Sequence, residues 1–310
     1  MSGRPFDVSI IVPTMACRER AASLFRAIDT ILSQQGARGI PLVVVNGDSG
    51  APEVLEHLRR RSDIRLTTRE EASLPGALRA GRAMVDTPYF AVLDDDDQLL
   101  PGALRTRLEL LTLASGADVA VTSGFFERSG RREINIADFR RIQADPLRML
   151  FVQHWLPPCA GLFRTSVVTE DFFEAIPRYR EWTYLAIRLA LGLRITFAAR
   201  PTFVYCFDTP DSLSKSRAYC LGGPSALARM LELELPADVR AALRVRLAGD
   251  LHSASVTELE DGNYRAAWRW HLKSLAQPSG WRYLPHARHL LIGSLSRRVA
   301  GGRTRAPGSA

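Results

Sequence analysis

The sequence lacks the features that mark membrane-spanning, secreted and zinc-binding proteins. None of its apolar runs reaches the roughly 18–20 residues that a helix needs to span a bilayer. The first residues hold no basic start followed by a long apolar stretch, which argues against a secretory signal. The four cysteines form no Cys-x-x-Cys pair, so we interpret them as free thiols in a reducing compartment. From these absences we expect a cytoplasmic location.

Acidic residues are missing from the last part of the chain. Residues 262–310 hold nine Lys or Arg residues and no Asp or Glu, although the whole chain has a net charge of only +8. This asymmetry predicts a basic region that meets an anionic surface, with a solvated tail as the alternative. Because Trp268, Trp270 and Trp281 lie among these basic residues, we favour an anionic membrane surface. No nucleic-acid-binding module is visible, so we expect no nucleic-acid partner.

Apolar runs alternate with helical patterns over the first hundred residues. Val8–Pro13, Pro41–Val45 and Tyr89–Leu93 are short, continuous apolar runs, which are typical of buried strands. Apolar residues recur with a helical period from about Glu19 to Gln34, between the first two runs. This alternation predicts an α/β protein with a mostly parallel sheet and helices on both of its faces.

The pattern changes further along the chain. Val119–Ser123 and Ala160–Phe163 read as short strands, and Glu181–Leu191 reads as a helix. Arg194–Ala198 and Phe203–Tyr205 also read as strands. After about Gly222 the sequence predicts only helices, the last of them at His286–Val299. We therefore predict one α/β domain at residues 1–222 and a helical C-terminal region with a basic tail at residues 223–310.

Three polar loops follow the predicted strands, at Pro13–Arg20, Asn46–Gly50 and Asp94–Gln98. In open parallel sheets the carboxyl ends of the strands form the ligand-binding edge, so these loops are expected to gather there. The four aspartates Asp94–Asp97 repel one another unless they are solvated or neutralised. Carboxylates at this edge suit Mg²⁺ or Mn²⁺ held together with substrate phosphates. A solvated turn that caps the following helix is the alternative.

Four motifs in register resemble family 2 of the glycosyltransferases. The matching segments are Leu93–Pro101 (Leu-Asp-x-Asp-Asp…Pro in the family), Val8–Pro13 (the opening strand and Pro-x-x-Asn/Asp loop), Val43–Gly50 (Val-Asp-Asp-Gly-Ser-x-Asp) and Leu78–Gly81 (Leu-Asn-x-Gly). The resemblance implies a Rossmann-like GT-A fold with a C-terminal helical extension. It also implies inverting transfer of a sugar from a nucleoside diphosphate sugar, with a UDP-sugar as the expected donor.

The resemblance assigns roles to individual residues. The residues implied to contact the donor are Pro13, Thr14, Asn46, Asp48, Arg79, Asp94 and Asp95. The implied ligands of Mg²⁺ or Mn²⁺ are Asp94 and Asp96 of the D-x-D motif. Asp208 is a third candidate ligand, because its loop resembles the family's Tyr-Arg-x-His-x-x-Ser-x-Ser segment; a turn aspartate is the alternative. Asn46 stands where the family usually has Asp, which leaves the identity of the nucleotide open.

Glu181 is the candidate catalytic base. Arg180–Ala190 resembles the family's Glu-Asp-x-x-x-x-x-Arg-Leu segment, in which the Asp usually serves as the base, but Trp182 stands at that position here. The resemblance then implies that Glu181 removes the proton of the acceptor hydroxyl. The alternative is a first-turn residue favoured by the helix dipole. For Trp155 we favour a packed core residue, with a stacking platform for the acceptor as the alternative.

These motifs predict a peripheral enzyme of the inner membrane face that acts on a glycan or lipid-linked acceptor in cell-surface polysaccharide or glycolipid synthesis. Two rival interpretations remain open. A catalytically impaired nucleotide-sugar-binding protein is suggested by Trp182. A sugar nucleotidyltransferase also combines an α/β sheet with metal-binding aspartates, but it normally begins with a glycine-rich loop, and Pro13–Arg20 contains no glycine.

Overall fold

The computed structural model describes residues 6–209 and 216–293. The chain forms two compact units, residues 1–210 and 211–310. The predicted domain boundary at residue 222 stays a prediction.

The first unit is built on one sheet with nine strands in the described residues. The strands are β1 (Val8–Thr14), β2 (Gly39–Asn46), β3 (Arg65–Arg69), β4 (Tyr89–Val92), β5 (Gln98–Leu99), β6 (Val119–Arg128), β7 (Arg131–Ile134), β8 (Gly161–Arg164) and β9 (Ile195–Cys206). Their order is β3-β2-β1-β4-β8-β6-β9-β5, and β7 pairs with β6. β3, β2, β1 and β4 run parallel, whereas β8 is antiparallel to β4 and β6. This mostly parallel sheet confirms the predicted fold class.

Helices cover the sheet because its central strands are apolar on both faces and must be shielded from water. The helices of the first unit are α1 (Ala21–Leu32), α2 (Pro52–Arg60), α3 (Leu74–Ala83), α4 (Ala103–Leu113), α5 (Arg140–Ala144), α6 (Pro146–Met149), α7 (Asp171–Glu174) and α8 (Glu181–Gly192). Short 3₁₀ turns lie at Arg18–Arg20 and Pro158–Ala160. Every residue of β1 and β2 is buried, as their continuous apolar runs predict.

Two local features fix the start and the depth of α3. The hydroxyl of Ser73 accepts a hydrogen bond from the N–H of Gly76 and caps the helix, as serine does at an N-cap. Gly81 lies against Ile11 of β1, where an added Cβ atom would overlap the Ile11 side chain. A side chain at position 81 would therefore push α3 away from the sheet.

β9 differs from the sequence-based expectation, which placed two separate strands at residues 194–198 and 203–205. The structure joins them into one strand, and the β6–β9 ladder shifts register near Ser123. Pro201 has no N–H to donate, so an irregular ladder at this point accommodates it without a lost hydrogen bond.

The second unit is helical in its described residues, as the sequence predicts. It contains α9 (Arg217–Met230), α10 (Ala237–Glu260), α11 (Tyr264–Leu275) and a 3₁₀ helix, Gly280–His286, that continues as a helix over residues 287–293. The predicted last helix extends to residue 299, and its end lies outside the described residues. Across residues 6–209 and 216–293, no helix combines the length and apolar character needed to cross a bilayer.

Candidate active site

The loops that follow β1 and β4 meet at the carboxyl edge of the sheet. Thr14, the last residue of β1, donates its hydroxyl hydrogen bond to Oδ2 of Asp95 at 2.6 Å. Arg20 reaches back from the 3₁₀ turn and contacts Oδ1 of Asp95 at 2.6 Å and Oδ2 of Asp96 at 2.7 Å. The prediction that these two loops gather at one edge is confirmed.

The four aspartates alternate between two environments. Asp95 and Asp97 are buried, whereas Asp94 and Asp96 keep exposed surface. Oδ1 of Asp97 accepts a hydrogen bond from the N–H of Cys206 at 2.9 Å, but its buried Oδ2 has no hydrogen-bond partner among the described residues. Carboxylate oxygens of Asp94, Asp96 and Asp97 all lie within 4.8 Å of one another. These three side chains form the carboxylate group of the site.

The charges of this group are only partly compensated. Desolvation raises the pKa of Asp95 to about 6, although Arg20 and Thr14 lower it. Desolvation also raises the pKa of Asp94 and Asp97 well above the ordinary value, and neighbouring carboxylates raise both further. Burial lowers the pKa of Arg20, but the nearby aspartates outweigh it and raise the pKa overall. One guanidinium cannot balance four carboxylates, so the group fits a divalent cation with oxygen ligands.

A buried arginine supports the elements around the carboxylate group. Arg107 of α4 is fully buried and donates to the carbonyl of Cys159 at 2.5 Å and to the hydroxyl of Thr202 at 2.7 Å. It thereby ties α4 to β9 and to the Pro158–Ala160 turn. The thiol of Cys159 in turn faces Asp97, and burial followed by this carboxylate raises the pKa of the thiol.

The loop after β2 also contacts the loop after β1. The N–H of Ala51 donates to the carbonyl of Ala16 at 2.9 Å. Asn46 is buried, and its Oδ1 accepts the N–H of Ser73 at 2.8 Å. The side-chain carbonyl that could have accepted from a nucleobase is therefore engaged with the start of α3.

Three other residues assigned to donor binding are Pro13, Asp48 and Arg79. Pro13 is buried in β1, and Asp48 is exposed in the loop after β2. Arg79 is exposed on α3, whereas Ala77 and Leu78 of the same helix are buried. The donor-binding roles of these residues stay predictions.

Glu181 begins α8 and is 5% exposed. Its Oε1 accepts the N–H of Tyr179 at 2.8 Å. Tyr179 and Arg180 both adopt left-handed backbone angles, with φ of +67° and +59°, a conformation that non-glycine residues adopt at a cost. Desolvation raises the pKa of Glu181, and Glu181 is near enough to raise the pKa of Asp94 electrostatically. The strained turn thus holds a buried carboxyl whose charge acts on Asp94.

Asp208, Trp155 and Trp182, which the sequence also singled out, lie in three different environments. Asp208 is exposed and accepts the N–H of Ser129 at the β6–β7 turn, and the structure does not bring it into the carboxylate group. Trp155 is fully buried and donates its indole N–H to the carbonyl of Pro146 at 2.8 Å, so it is a core residue and the stacking interpretation is wrong. Trp182 is 9% exposed, and its Nε1 has no hydrogen-bond partner among the described residues.

The roles assigned from the sequence include neither Arg20 nor Asp97. Arg20 lies six positions after Thr14, at the end of the 3₁₀ turn Arg18–Arg20, and its side chain returns to the aspartates. Arg20 is a basic residue in a loop that was predicted to lie beside the acidic motif, and this position could have indicated its contact with the aspartates. Tyr205 was also overlooked; burial and then Asp94 raise its pKa, which places its hydroxyl near the carboxylate group.

An open α/β sheet with polar loops after the carboxyl ends of its parallel strands defines the class of α/β folds that bind ligands at this edge. The model of glycosyl transferase family 2 matches residues 9–168, and the chain therefore belongs to this family. No curated protein sequence matches the chain.

Solved structures share the fold. One is TarS 1–349 of S. aureus in complex with UDP-GlcNAc, with a TM-score of 0.56 and 14% identity; the match covers 80% of this chain and 72% of that one. Another is the mannosyltransferase PcManGT of Pyrobaculum calidifontis in complex with GDP-Man and Mn²⁺. It has a TM-score of 0.50 and 15% identity, and the match covers 95% of this chain and 87% of that one.

Proposed function

We propose that this glycosyltransferase moves a sugar, with inversion, from a nucleoside diphosphate sugar to a hydroxyl group of a glycan or lipid-linked acceptor. The observation that carries the proposal is the carboxylate group of Asp94, Asp96 and Asp97. The buried Glu181 supports it, because its charge raises the pKa of Asp94. Together they supply the two parts that such a transfer needs, a site for the diphosphate and a candidate base.

Asp94 and Asp96 would hold Mg²⁺ or Mn²⁺, with Asp97 as a third carboxylate. The close oxygens and the orphaned Oδ2 of Asp97 fit such an ion, and a structural relative is recorded with Mn²⁺ and GDP-Man. When bound, the cation offsets the charge that builds on the leaving diphosphate. Asp208 stays a predicted ligand that would have to exchange its contact with Ser129 for the cation.

Glu181 would remove the proton of the acceptor hydroxyl as its oxygen attacks the anomeric carbon. The raised pKa of Glu181 supports this role, because a base works best when its pKa is near the working pH. Attack on the face opposite the leaving diphosphate inverts the anomeric configuration. The bond from the anomeric carbon to the diphosphate oxygen breaks as the new glycosidic bond forms.

The donor is expected to be a UDP-sugar bound by the loops after β1 and β2. The residues proposed to contact it are Pro13, Thr14, Asn46, Asp48, Arg79, Asp94 and Asp95. Structural relatives with UDP-GlcNAc and with GDP-Man support a nucleoside diphosphate sugar as the substrate class. The basic second unit supports a place at an anionic membrane surface, on its inner face, in cell-surface polysaccharide or glycolipid synthesis.

The test is the release of nucleoside diphosphate from a panel of nucleotide sugars, with and without Mn²⁺. Asp96→Asn should weaken Mn²⁺-dependent donor binding, whereas the matched control Asp29→Asn, at an exposed position of α1, should not. Glu181→Gln should leave donor binding intact and lower turnover by about 10²–10⁴-fold. The exposed Glu133→Gln is its control.

A second candidate is a nucleotide-sugar-binding protein without turnover, which the substitution by Trp182 favours. Donor binding without release of any nucleoside diphosphate would support it and overturn the transferase proposal. Formation of a nucleotide sugar from a sugar phosphate and a nucleoside triphosphate would instead indicate a nucleotidyltransferase.

A further inference from the structure

The last described helical segment of the second unit has two apolar faces. Its inner stripe is Tyr283, His286 and Leu290. Tyr283 stacks on His252 of α10 with ring centroids 4.2 Å apart, and His286 packs edge-on against His271 of α11 at 5.5 Å. Leu290 is fully buried. This stripe attaches the segment to the helices of its own unit.

The outer stripe of the same segment is exposed. It consists of Trp281, Leu284, Arg288, Leu291 and Ile292. Residues three apart eclipse one another in a 3₁₀ helix, and residues three or four apart share a face of an α-helix, so these positions follow one another along one side. The exposed fractions are 68% for Trp281, 55% for Leu284, 54% for Leu291 and 57% for Ile292. Four of the ten exposed large apolar side chains of the described residues therefore lie within twelve residues.

The charges around the outer stripe have one sign. Arg265, Arg269, Lys273, Arg282 and Arg288 are all exposed, and none of them forms a salt bridge within residues 6–209 and 216–293. Arg282 lies over the ring of Trp281, with 5.9 Å between its guanidinium carbon and the ring centroid. No acidic residue occurs from position 262 to the end of the chain.

We infer that the outer stripe, together with Arg282, docks the protein on an anionic lipid surface. A helix that exposes Trp and aliphatic side chains beside arginines lies in the plane of a bilayer, with its apolar side chains at the boundary of headgroups and acyl chains. The arginines add attraction to anionic headgroups. This inference rests on the proposed place at an anionic membrane surface and names the residues that contact it. It does not depend on the proposed transferase reaction, so the two can fail separately.

Charge argues against the other occupants of this surface. In a symmetric contact with a second copy, the same patch meets itself, so basic side chains would face basic side chains. A nucleic acid would satisfy the charges, but Trp281 is the only residue of the stripe with a flat ring on which a base can stack. Leu284, Leu291 and Ile292 would gain nothing from such a partner. An anionic bilayer accommodates both the aliphatic side chains and the arginines.

The experiment is co-sedimentation of the full chain with vesicles of equal parts phosphatidylcholine and phosphatidylglycerol, compared with phosphatidylcholine alone. Binding is expected only with phosphatidylglycerol, and it should weaken as salt is added. The variant Trp281→Ala with Leu291→Ala should weaken binding by about tenfold or more. Its matched control is Leu113→Ala with Val152→Ala, which removes side chains that are 83% and 72% exposed in the first unit.

A second pair of variants separates charge from apolar contact. Arg282→Glu with Arg288→Glu should reduce vesicle binding by at least about 20-fold, since each basic residue near an anionic surface contributes roughly fivefold. Arg59→Glu with Arg131→Glu, at exposed positions of the first unit, changes the net charge equally and should reduce it far less. Unchanged circular dichroism spectra would show that the variants are folded.

Four outcomes would overturn the inference. Equal binding to both kinds of vesicle would show that docking does not depend on anionic lipid. Equal losses of binding in the variants and their controls would show that the outer stripe is not the docking surface. A dimer in solution that Trp281→Ala dissociates would assign the stripe to a second copy. Binding to single-stranded RNA, with no binding to vesicles, would assign it to a nucleic acid.

Discussion

Arg20 is the only positively charged side chain that the described residues place in salt-bridge contact with the aspartate run. It is 23% exposed, and it holds Asp95, whose side chain is 4% exposed. The same guanidinium contacts Asp96, a proposed metal ligand. Arg20 therefore stabilises the buried carboxylate of Asp95. Its guanidinium also contacts an oxygen of Asp96 that is proposed to bind the metal cation.

Two opposite effects are expected from Arg20→Ala. Loss of the partner of the buried Asp95 should lower the free energy of unfolding by about 3 kcal/mol, measured by urea denaturation without metal. The thermal stabilisation given by Mn²⁺ should increase, because a competing positive charge has gone. The control Arg18→Ala removes a surface ion pair with Glu53 from the same turn and should change neither measurement. A weaker response to Mn²⁺ would show that Arg20 assists the cation rather than competing with it.

Two tryptophans offer a matched comparison of hydrogen bonding in the core. The indole N–H of Trp155 donates to Pro146, whereas that of Trp182 is buried without a partner in the described residues. Replacement by Phe removes the N–H and reduces the ring in both cases. Trp155→Phe should cost at least about 1 kcal/mol more unfolding free energy than Trp182→Phe, because only the former loses a bond and leaves a carbonyl unsatisfied. Equal costs in urea denaturation would mean that the N–H of Trp182 has a partner in solution.

At the scale of elements, Arg107 joins α4, β6, β9 and the Pro158–Ala160 turn through one buried guanidinium. Burial of its charge is unfavourable, and the hydrogen bonds that it donates to the carbonyls of Cys159 and Gly161 offset this cost. Cys159, one of the residues that it holds, faces Asp97. The position of the carboxylate group thus depends on a side chain of a neighbouring helix.

Arg107→Met tests this link, because methionine fills much of the space without hydrogen bonds. The carbonyls of Cys159 and Gly161 would be left unsatisfied, so the unfolding free energy should fall by about 2–4 kcal/mol in urea denaturation. Arg105→Ala, which removes an exposed residue of the same helix that pairs with Glu109, should have little effect. An equal loss in both variants would mean that Arg107 contributes no more than its helix propensity.

The sequence was sufficient to predict those strands and helices whose pattern of apolar residues lies within a short stretch of the chain. β1 and β2 were predicted to within two residues, because continuous apolar runs demand burial on both faces. The contacts of Asp97 could not be predicted in this way, since its donor, Cys206, lies 109 positions away. The return of Arg20 to Asp95 depends on a 3₁₀ turn that leaves no apolar pattern. Side-chain partners set by tertiary packing are what the sequence alone does not reveal.

At the scale of the whole molecule, the histidines are concentrated in the second unit. Four of the six histidines lie in the second unit. Within it, the rings of His252, His271, Tyr283 and His286 contact one another between α10, α11 and the last helical segment, and His289 lies 6.0 Å from His286. Burial lowers the pKa of His252 and His271, and it lowers that of His286, together with the neighbouring histidines, to about 4.

The second unit should therefore lose stability on mild acidification. An unfolded histidine has a pKa of about 6.5, so in this window the unfolded state binds more protons than the folded one, and the unfolding free energy falls as the pH drops from about 7 to about 5. Surface carboxylates with lowered pKa, such as Asp63 and Asp86, lose their contribution only below about pH 4 and do not interfere. Hydrogen exchange corrected for intrinsic rates, measured with Mn²⁺ present, should show protection falling in residues 237–293 before it falls in β1 and β2.

The change of stability with pH separates the effect of histidine protonation from other effects of a substitution. His286→Phe keeps a ring between His252 and His271 but cannot be protonated, so the loss of protection between about pH 7 and pH 5 should become smaller. His57→Gln, at an exposed position of the first unit, should leave the slope unchanged. A slope that His286→Phe does not alter would show that the buried histidines are not the source of the acid sensitivity. The measured quantity is the difference in protection between two pH values. A loss of packing that is the same at both pH values therefore does not change it.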